Sequence, residues 1–115
     1  MHNKLSKMKC SACRGDEPPM TDTDIEEMMA QVPDWELVDR GGVRRLERTF
    51  KFRDFLGALR FTNRVGEIAE QEGHHPIITL TWGRATVAWY THKIGGLHDN
   101  DFIMAAKTDQ LHAPA

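Results

Sequence analysis

The segment from residue 54 to residue 72 has the clearest helical pattern in the chain, and strand patterns lie on both sides of it. Apolar residues such as Phe55, Leu59 and Val65 recur along it at helical spacing. Gly73 follows, in a position that suits the left-handed residue at which many helices end. A helix between two strand regions favours a mixed α and β fold.

Two β hairpins are predicted, one before and one after this helix. The first joins residues 35–38 to a strand that ends at Phe52. The second joins residues 77–82 to residues 85–91 through a turn that begins at Gly83. Both arms of the second hairpin are rich in β-branched and aromatic residues, which favours strands over helices.

Two further helices are predicted at the ends of the domain. The first begins after Thr21 or Thr23 and stops at Pro33, and the last covers residues 99–111. The order α-β-β-α-β-β-α predicts a single α+β domain, in which three helices pack on one face of a four-stranded antiparallel sheet. The apolar cluster at residues 102–106 is wider than one helical stripe, so a partner subunit is expected to cover it together with the sheet.

Residues 1–20 differ in composition from the rest and are predicted to form a flexible leader, which leaves residues 21–115 as the domain. Cys10 and Cys13 in this leader have the spacing of a redox pair or of half a zinc knuckle. No strand pattern precedes them and His2 is the nearest further ligand, so two reduced, exposed thiols are the expected state. A metal or redox role for the pair remains an alternative.

The overall composition is typical of a soluble globular protein. The 115 residues suffice for one domain with a modest core, and 40% of them are hydrophobic. The net charge of −2 provides no basic surface for nucleic acid or for an anionic membrane. No apolar run approaches the roughly 20 residues that span a bilayer. The N-terminus also lacks the apolar segment of a secretory signal, so a cytoplasmic location is expected.

Three histidines are predicted to meet at the second hairpin. His74 and His75 precede its first arm, and His92 follows its second arm, so the folded hairpin brings His92 back beside the other two. Pro76 disfavours the helical conformation at His75 and favours an extended one. Because extended neighbours point to opposite faces, the backbone at His74 must depart from strand geometry if both rings serve one pocket.

This cluster is suited to proton transfer near neutral pH, and metal binding is the main alternative. Three histidines can hold zinc, but adjacent histidines form a poor chelate, so no metal is expected. A purely structural role explains one histidine. It does not explain three that converge with the carboxylates of Glu70 and Asp101.

Three stretches of the sequence form a combined pattern. They are Glu70-x-x-x-His74-His75-Pro76, Thr91-His92-x-x-Gly95-Gly96-Leu97-x-x-x-Asp101 and the earlier Asp34-Trp35. This pattern resembles the pterin-4a-carbinolamine dehydratases, with a likeness that covers about residues 20 to 111. The spacing from Pro76 to Thr91-His92 matches the family without a gap. His98 stands where the family has a Ser or Thr as helix cap, so Asp99 is expected to cap the last helix instead.

The resemblance implies a dehydratase that needs neither a metal nor another cofactor, since the pterin is its substrate. It would convert a 4a-hydroxytetrahydropterin, left by an aromatic amino acid hydroxylase, into quinonoid dihydropterin and water. The family pattern implies that His74 and His92 are acid–base residues and that His75 completes the site. Supporting roles toward the imidazoles or the pterin are implied for Glu70, Pro76, Thr91 and Asp101, and Trp35 is either a wall of the pterin site or a core residue.

The resemblance also implies self-association and an alternative function. A homodimer or homotetramer is expected, with the aromatic amino acid hydroxylase as a functional partner. Animal members of the family also act as dimerisation cofactors of a transcription factor, through the surface of the last helix. The alternative function is therefore a protein-binding module.

Overall fold

The computed structural model describes residues 4–8, 18 and 20–112, and these form the predicted order of elements. The three α-helices are α1 (Asp22–Met29), α2 (Phe55–Glu72) and α3 (Asp99–Leu111). The four strands are β1 (Glu36–Arg40), β2 (Val43–Lys51), β3 (Ile77–Thr81) and β4 (Arg84–Trp89). They form one antiparallel sheet in the order β1-β2-β4-β3. The predicted α+β fold is confirmed.

The helix ends follow the capping residues that the sequence provides. Thr21 caps α1 by accepting the amide hydrogen of Asp24, and the Asp54 carboxylate caps α2 by accepting that of Gly57. Gly73 ends α2 with φ of 65°, which is the left-handed conformation expected there. Most of these boundaries are therefore set by local chemistry.

The hydrophobic core lies between one face of the sheet and the helices. Cross-strand pairs such as Leu46 with Trp89 and Phe50 with Ala85 place buried side chains on this inner face. Phe61 of α2 packs on Phe50 with ring centroids 4.5 Å apart. The opposite face of the sheet, which we call the outer face, carries mainly polar and charged residues.

Arg48 stands on the inner face, where the alternation of β2 would place an apolar residue. Its guanidinium lies 4.4 Å from the centre of the Phe50 ring and 2.5 Å from the Asp109 carboxylate. The indole of Trp35 donates to the same Asp109 oxygen at 2.9 Å. Burial raises the pKa of Asp109, against the opposing effects of the Trp35 indole and the Arg48 guanidinium.

This raised pKa predicts an inverted pH dependence for the contribution of Asp109 to stability. The native pKa lies above the unfolded value of about 3.9, so the folded state binds the proton more tightly. Relative to Asp109→Asn, the wild type is expected to gain free energy of unfolding as the pH falls through the native pKa, with the gain complete below about pH 3.9. Urea unfolding of both proteins across this range checks the prediction. A loss in the same comparison would mean that the Arg48 ion pair outweighs desolvation.

The described start of the predicted leader packs against α3. Residues Lys4–Lys7 form a 3₁₀ turn, and Leu5 is only 5% exposed within the core cluster. The ammonium of Lys107 also donates to the backbone oxygen of Ser6 at 3.0 Å. The composition of residues 1–20 did not indicate this packing, because one apolar side chain provides it. Cys10 and Cys13 lie outside the described residues.

The chain itself covers much of α3. All residues from Asn100 to Ala106 are buried in the single chain, between the sheet, α2 and the N-terminal turn. The cover that the sequence led us to expect from a partner subunit is thus provided in part by Leu5. A homodimer or homotetramer stays a prediction. Among the described residues, no helix is long and apolar enough to cross a membrane.

Candidate active site

The end of α2 turns His74 toward the interior. After the left-handed Gly73, the amide of His74 donates to the carbonyl of Ala69 at 3.1 Å. The imidazole is 11% exposed and lies parallel to the Trp89 indole, with ring centroids 5.7 Å apart and 12° between the planes. Its Nε2 is 2.7 Å from Oδ1 of Asp101. The ring is therefore fixed on one side by a stack and on one edge by a carboxylate.

Asp101 is fully buried at the start of α3 and holds three groups together. One carboxylate oxygen contacts His74, while the other accepts the Thr91 hydroxyl at 2.8 Å and the His98 amide at 3.0 Å. A buried carboxylate is stable only when such donors satisfy it. The carboxylate thus joins the end of α2, the segment after β4 and the first turn of α3.

The expectation that Asp99 caps α3 is wrong, because His98 does so. Its Nδ1 accepts the amide hydrogen of Asn100 at 3.0 Å, and Asp101 accepts the backbone amide of His98 in return. This is the reciprocal arrangement of a capping box, with a neutral imidazole nitrogen in place of a hydroxyl. His98 therefore has a structural role, and Asp101 belongs both to the cap and to the site.

The hydrogen bond to Asp101 determines the tautomer of His74. An ionised carboxylate can only accept, so Nε2 of His74 carries the proton in this bond. Nδ1 is then the ring nitrogen without a proton. In other carboxylate–imidazole pairs, the carboxylate likewise orients the ring.

His75 points to solvent, unlike His74. Its Nε2 lies 2.8 Å from Oε1 of Glu70, and the two side chains are 61% and 82% exposed. Such an exposed pair contributes about 0–1 kcal/mol to stability. The contact therefore matters for the orientation of the His75 ring more than for stability. The two adjacent rings separate as extended neighbours do, one buried and one exposed. Pro76 follows them and leads directly into β3.

His92 is also exposed, and it begins a 3₁₀ turn over His92–Ile94. Thr91 before it is buried, with its amide donating to the Gly96 carbonyl at 2.8 Å. The His92 ring packs on the Tyr90 ring, with centroids 4.3 Å apart. The guanidinium carbon of Arg45 lies 4.8 Å from the centre of the same Tyr90 ring.

The structure thus brings most of the predicted site residues to one edge of the sheet. His74, Thr91 and Asp101 are joined by direct hydrogen bonds, and His75 and His92 each follow one of these residues in the chain. Trp35 is 3% exposed and hydrogen-bonds Asp109, which lies eight residues along α3 from Asp101, or about 12 Å. The structure therefore places Trp35 in the core.

Sequence reasoning did not identify Trp89, Tyr90 and Arg45 as parts of this region. The signal was available for the first two, because Trp89-Tyr90 directly precedes Thr91-His92 and alternating strand residues face opposite sides. Within the described ranges, no group of three or more His, Cys, Asp or Glu residues is arranged to hold a metal ion. A reaction without a metal stays a prediction.

The fold and the site together define a small α+β protein with a carboxylate-oriented histidine and further histidines at a hairpin edge. Comparison with known families identifies the class more narrowly. The chain belongs to the pterin 4 alpha carbinolamine dehydratase family, whose model matches residues 18–111. The family predicted from the residue pattern is confirmed.

Bacterial relatives match over nearly their full lengths. A protein of Marinobacter nauticus is 52% identical over 96% of this chain and 99% of its own. One of Nitrosococcus oceani is 56% identical over 93% of this chain and 95% of its own. Both carry the provisional name pterin-4-alpha-carbinolamine dehydratase.

Two solved structures share the fold. One is described as a transcriptional coactivator/pterin dehydratase from Brucella melitensis, with 27% identity, a TM-score of 0.75 and coverage of 83% of this chain and 99% of that one. The other is a pterin dehydratase-like protein described as a RuBisCO assembly factor in the alpha-carboxysome, with 17% identity and a TM-score of 0.59. It covers 71% of this chain and 93% of that one, and at this identity it supports the fold alone.

Proposed function

We propose that this protein is a 4a-hydroxytetrahydropterin dehydratase that produces quinonoid dihydropterin and water. It would thereby recycle the pterin cofactor of an aromatic amino acid hydroxylase in the cytoplasm. The observation that carries the proposal is the His74–Asp101 pair, 2.7 Å apart and nearly buried, beside two exposed histidines. Membership of the family supports the same reaction.

The reaction requires two proton transfers and no change of oxidation state. The bond between C4a and the hydroxyl oxygen breaks as that oxygen gains a proton and leaves as water. A ring nitrogen of the pterin loses a proton, so the protons balance. Imidazoles titrate near neutral pH and can therefore serve as both the acid and the base.

His74 and His92 are proposed as the two acid–base residues. Asp101 holds the proton on Nε2 of His74, which directs Nδ1 to the reaction. His92 is exposed and follows Thr91 in the chain, and it is proposed to act at the opposite edge of a flat ring from His74. Neither transfer needs a metal or a second cofactor in this scheme.

His75 is proposed to complete the site on the outer face of the sheet. The last cross-strand pair of β3 and β4 is Ile77 with Ala88. If this register continued by two residues beyond the strands, His75 would lie across from Tyr90, on which His92 packs. His75 and His92 would then flank the same strip of surface, and Glu70 would orient His75.

The test is a spectrophotometric assay of quinonoid dihydropterin formation from enzymatically generated carbinolamine, with and without chelator. We expect the protein to accelerate product formation equally in both conditions. Absence of acceleration over heat-denatured protein would contradict the proposed function. Activity that is lost with chelator and restored by a metal would contradict its metal-free part alone.

A protein-binding function is the second candidate, because a structural relative at 27% identity is described as a transcriptional coactivator as well as a pterin dehydratase. The two candidates predict different results for the purified protein. A stoichiometric protein partner that co-purifies, together with no turnover of the carbinolamine, would favour the binding function.

A further inference from the structure

A stack of three side chains, Arg45, Tyr90 and His92, lies on the outer face of the sheet. The Arg45 guanidinium carbon is 4.8 Å from the centre of the Tyr90 ring, and the Tyr90 and His92 rings are 4.3 Å apart. The register of β2 and β4 explains the first contact. Their last pair is Leu46 with Trp89, so the next residues, Arg45 and Tyr90, lie across from each other.

The Arg45 guanidinium lies over the Tyr90 ring and forms no ion pair with a carboxylate among the described residues. The nearest carboxylate on its face of β2, that of Glu47, is engaged by Arg40 through two bonds of 3.2 and 3.3 Å. Nε of Arg45 is buried and has no hydrogen-bond partner among the described residues. A cation over an aromatic face is attracted by the ring electrons, so Arg45 restrains the Tyr90 ring.

Because His92 is exposed, its ring needs a neighbouring group to hold it in place. No hydrogen bond in the described structure fixes the His92 side chain as Asp101 fixes that of His74. An exposed imidazole samples several rotamers, and each rotamer places its nitrogens differently. A flat ring at 4.3 Å restricts these rotamers and keeps the imidazole at the edge of the sheet.

Tyr90 therefore does for His92 what Trp89 does for His74. The two aromatic residues are consecutive in the chain, and each packs on one of the two proposed acid–base histidines. Trp89 is fully buried in the core, whereas Tyr90 is partly exposed on the outer face. Tyr90 also packs against the core from its partly exposed position, so a Tyr90 variant disturbs the core less than a Trp89 variant would.

We infer that Tyr90 is the positioning residue of His92 and that Arg45 restrains Tyr90 in turn. This inference rests on the proposed function, and it names the two residues that restrain the exposed histidine, His92. The pathway for the effect is direct contact, from the guanidinium to the phenol ring and from that ring to the imidazole. Misplacement of a catalytic group lowers the rate of the chemical step more than it lowers substrate binding.

The experiment compares Tyr90→Ala, Tyr90→Phe, Arg45→Gln and Arg45→Lys in the dehydratase assay. We expect Tyr90→Ala to lower kcat about 10- to 100-fold with little change in KM, and Tyr90→Phe to retain most activity because the ring does the positioning. Arg45→Gln should lower kcat less, and Arg45→Lys should restore it. Thr79→Ala, on the outer face away from the stack, is the matched control.

A spectroscopic readout separates positioning from loss of stability. The imidazole C–H signals of His92, assigned by their absence in His92→Gln, should be shifted upfield by the Tyr90 ring. This shift should disappear in Tyr90→Ala and persist in Tyr90→Phe. Suppose that the wild type is active. The role of Tyr90 would then be overturned if Tyr90→Ala had the same kcat as the wild type, or if its His92 signal were unchanged. A wild type without dehydratase activity would overturn the proposed function and this role together.

Discussion

Replacing both His74 and His92 with alanine is expected to reduce carbinolamine dehydration to the uncatalysed rate. A positioned acid or base contributes about 10²- to 10⁴-fold, and the proposed reaction uses one of each. Each single replacement should therefore lower kcat within this range. The losses should not add fully, because the two residues act in one step.

The two single variants should differ in their effect on stability. His74 is nearly buried, stacks on Trp89 and bonds Asp101, so His74→Ala leaves a cavity and an unsatisfied carboxylate oxygen. His92 is exposed, so the free energy of unfolding of His92→Ala should lie within about 0.5 kcal/mol of that of the wild type. His92→Ala is thus the cleaner test of chemistry, measured as kcat under conditions where circular dichroism shows full folding.

A histidine outside the site provides the matched control. His112 packs on Phe50 and Phe52 at the C-terminal end of α3, with ring centroids 5.0 and 5.4 Å apart. His112→Leu keeps an apolar contact there and should leave kcat unchanged. Normal turnover in the double variant of His74 and His92 would remove both from the mechanism. An equal loss in His112→Leu would point to a general effect of histidine replacement.

The fold could be predicted because its determinants are local. The helical period of α2, the left-handed Gly73 and the two hairpin turns each fix their element within a few residues. The bounds of α3, Asp99–Leu111, also match the prediction, although its apolar cluster is wider than one helical stripe. α1 ends at Met29, before the predicted stop at Pro33, since helix ends depend on weak local preferences.

The parts that could not be predicted depend on contacts between distant residues. Arg48 breaks the alternation of apolar and polar residues in β2. It can stand on the inner face because the Asp109 carboxylate, on another element, forms an ion pair with it. Leu5 is buried because α3 presents an apolar surface to it, which composition does not reveal. His98 caps α3 because its ring nitrogen can accept a hydrogen bond, although histidine is not among the preferred caps.

The candidate site shows the same division. Spacing predicted that the histidines on the two sides of the second hairpin would converge, and the family resemblance added Thr91 and Asp101. The structure joins His74, Asp101 and Thr91 through hydrogen bonds. It also showed that His74 and His75 separate, as extended neighbours do. The assignment of Trp35 could not be settled from sequence, because the hydrogen-bond partner of its buried indole, Asp109, lies more than seventy residues away.

Removal of the Asp101 carboxylate is expected to be the most destabilising change at the site. In Asp101→Ala, Nε2 of His74, the Thr91 hydroxyl and the His98 amide all lose their acceptor inside the protein. Each buried donor left without an acceptor costs about 1–3 kcal/mol, so the total is a large part of the usual stability of a small domain. Urea unfolding measures this loss, with exposed Asp99→Ala on the same helical turn as the control.

Asp101→Asn separates the stability of the site from its chemistry. The amide keeps the shape of the carboxylate but has one acceptor and one donor group. If its oxygen accepts from Thr91 and His98, its NH₂ faces His74, and Nε2 must then accept a hydrogen bond. The proton moves to Nδ1, so the nitrogen proposed for proton transfer is presented in the other protonation state.

We expect a stability loss smaller than in Asp101→Ala but a fall in kcat of about 10²- to 10⁴-fold. A folded Asp101→Asn protein with normal kcat would show that the tautomer of His74 does not matter to the reaction. The contacts of Asp101 with Thr91 and with His74 use different oxygens, so this variant can separate a structural role from the proposed catalytic one where alanine cannot.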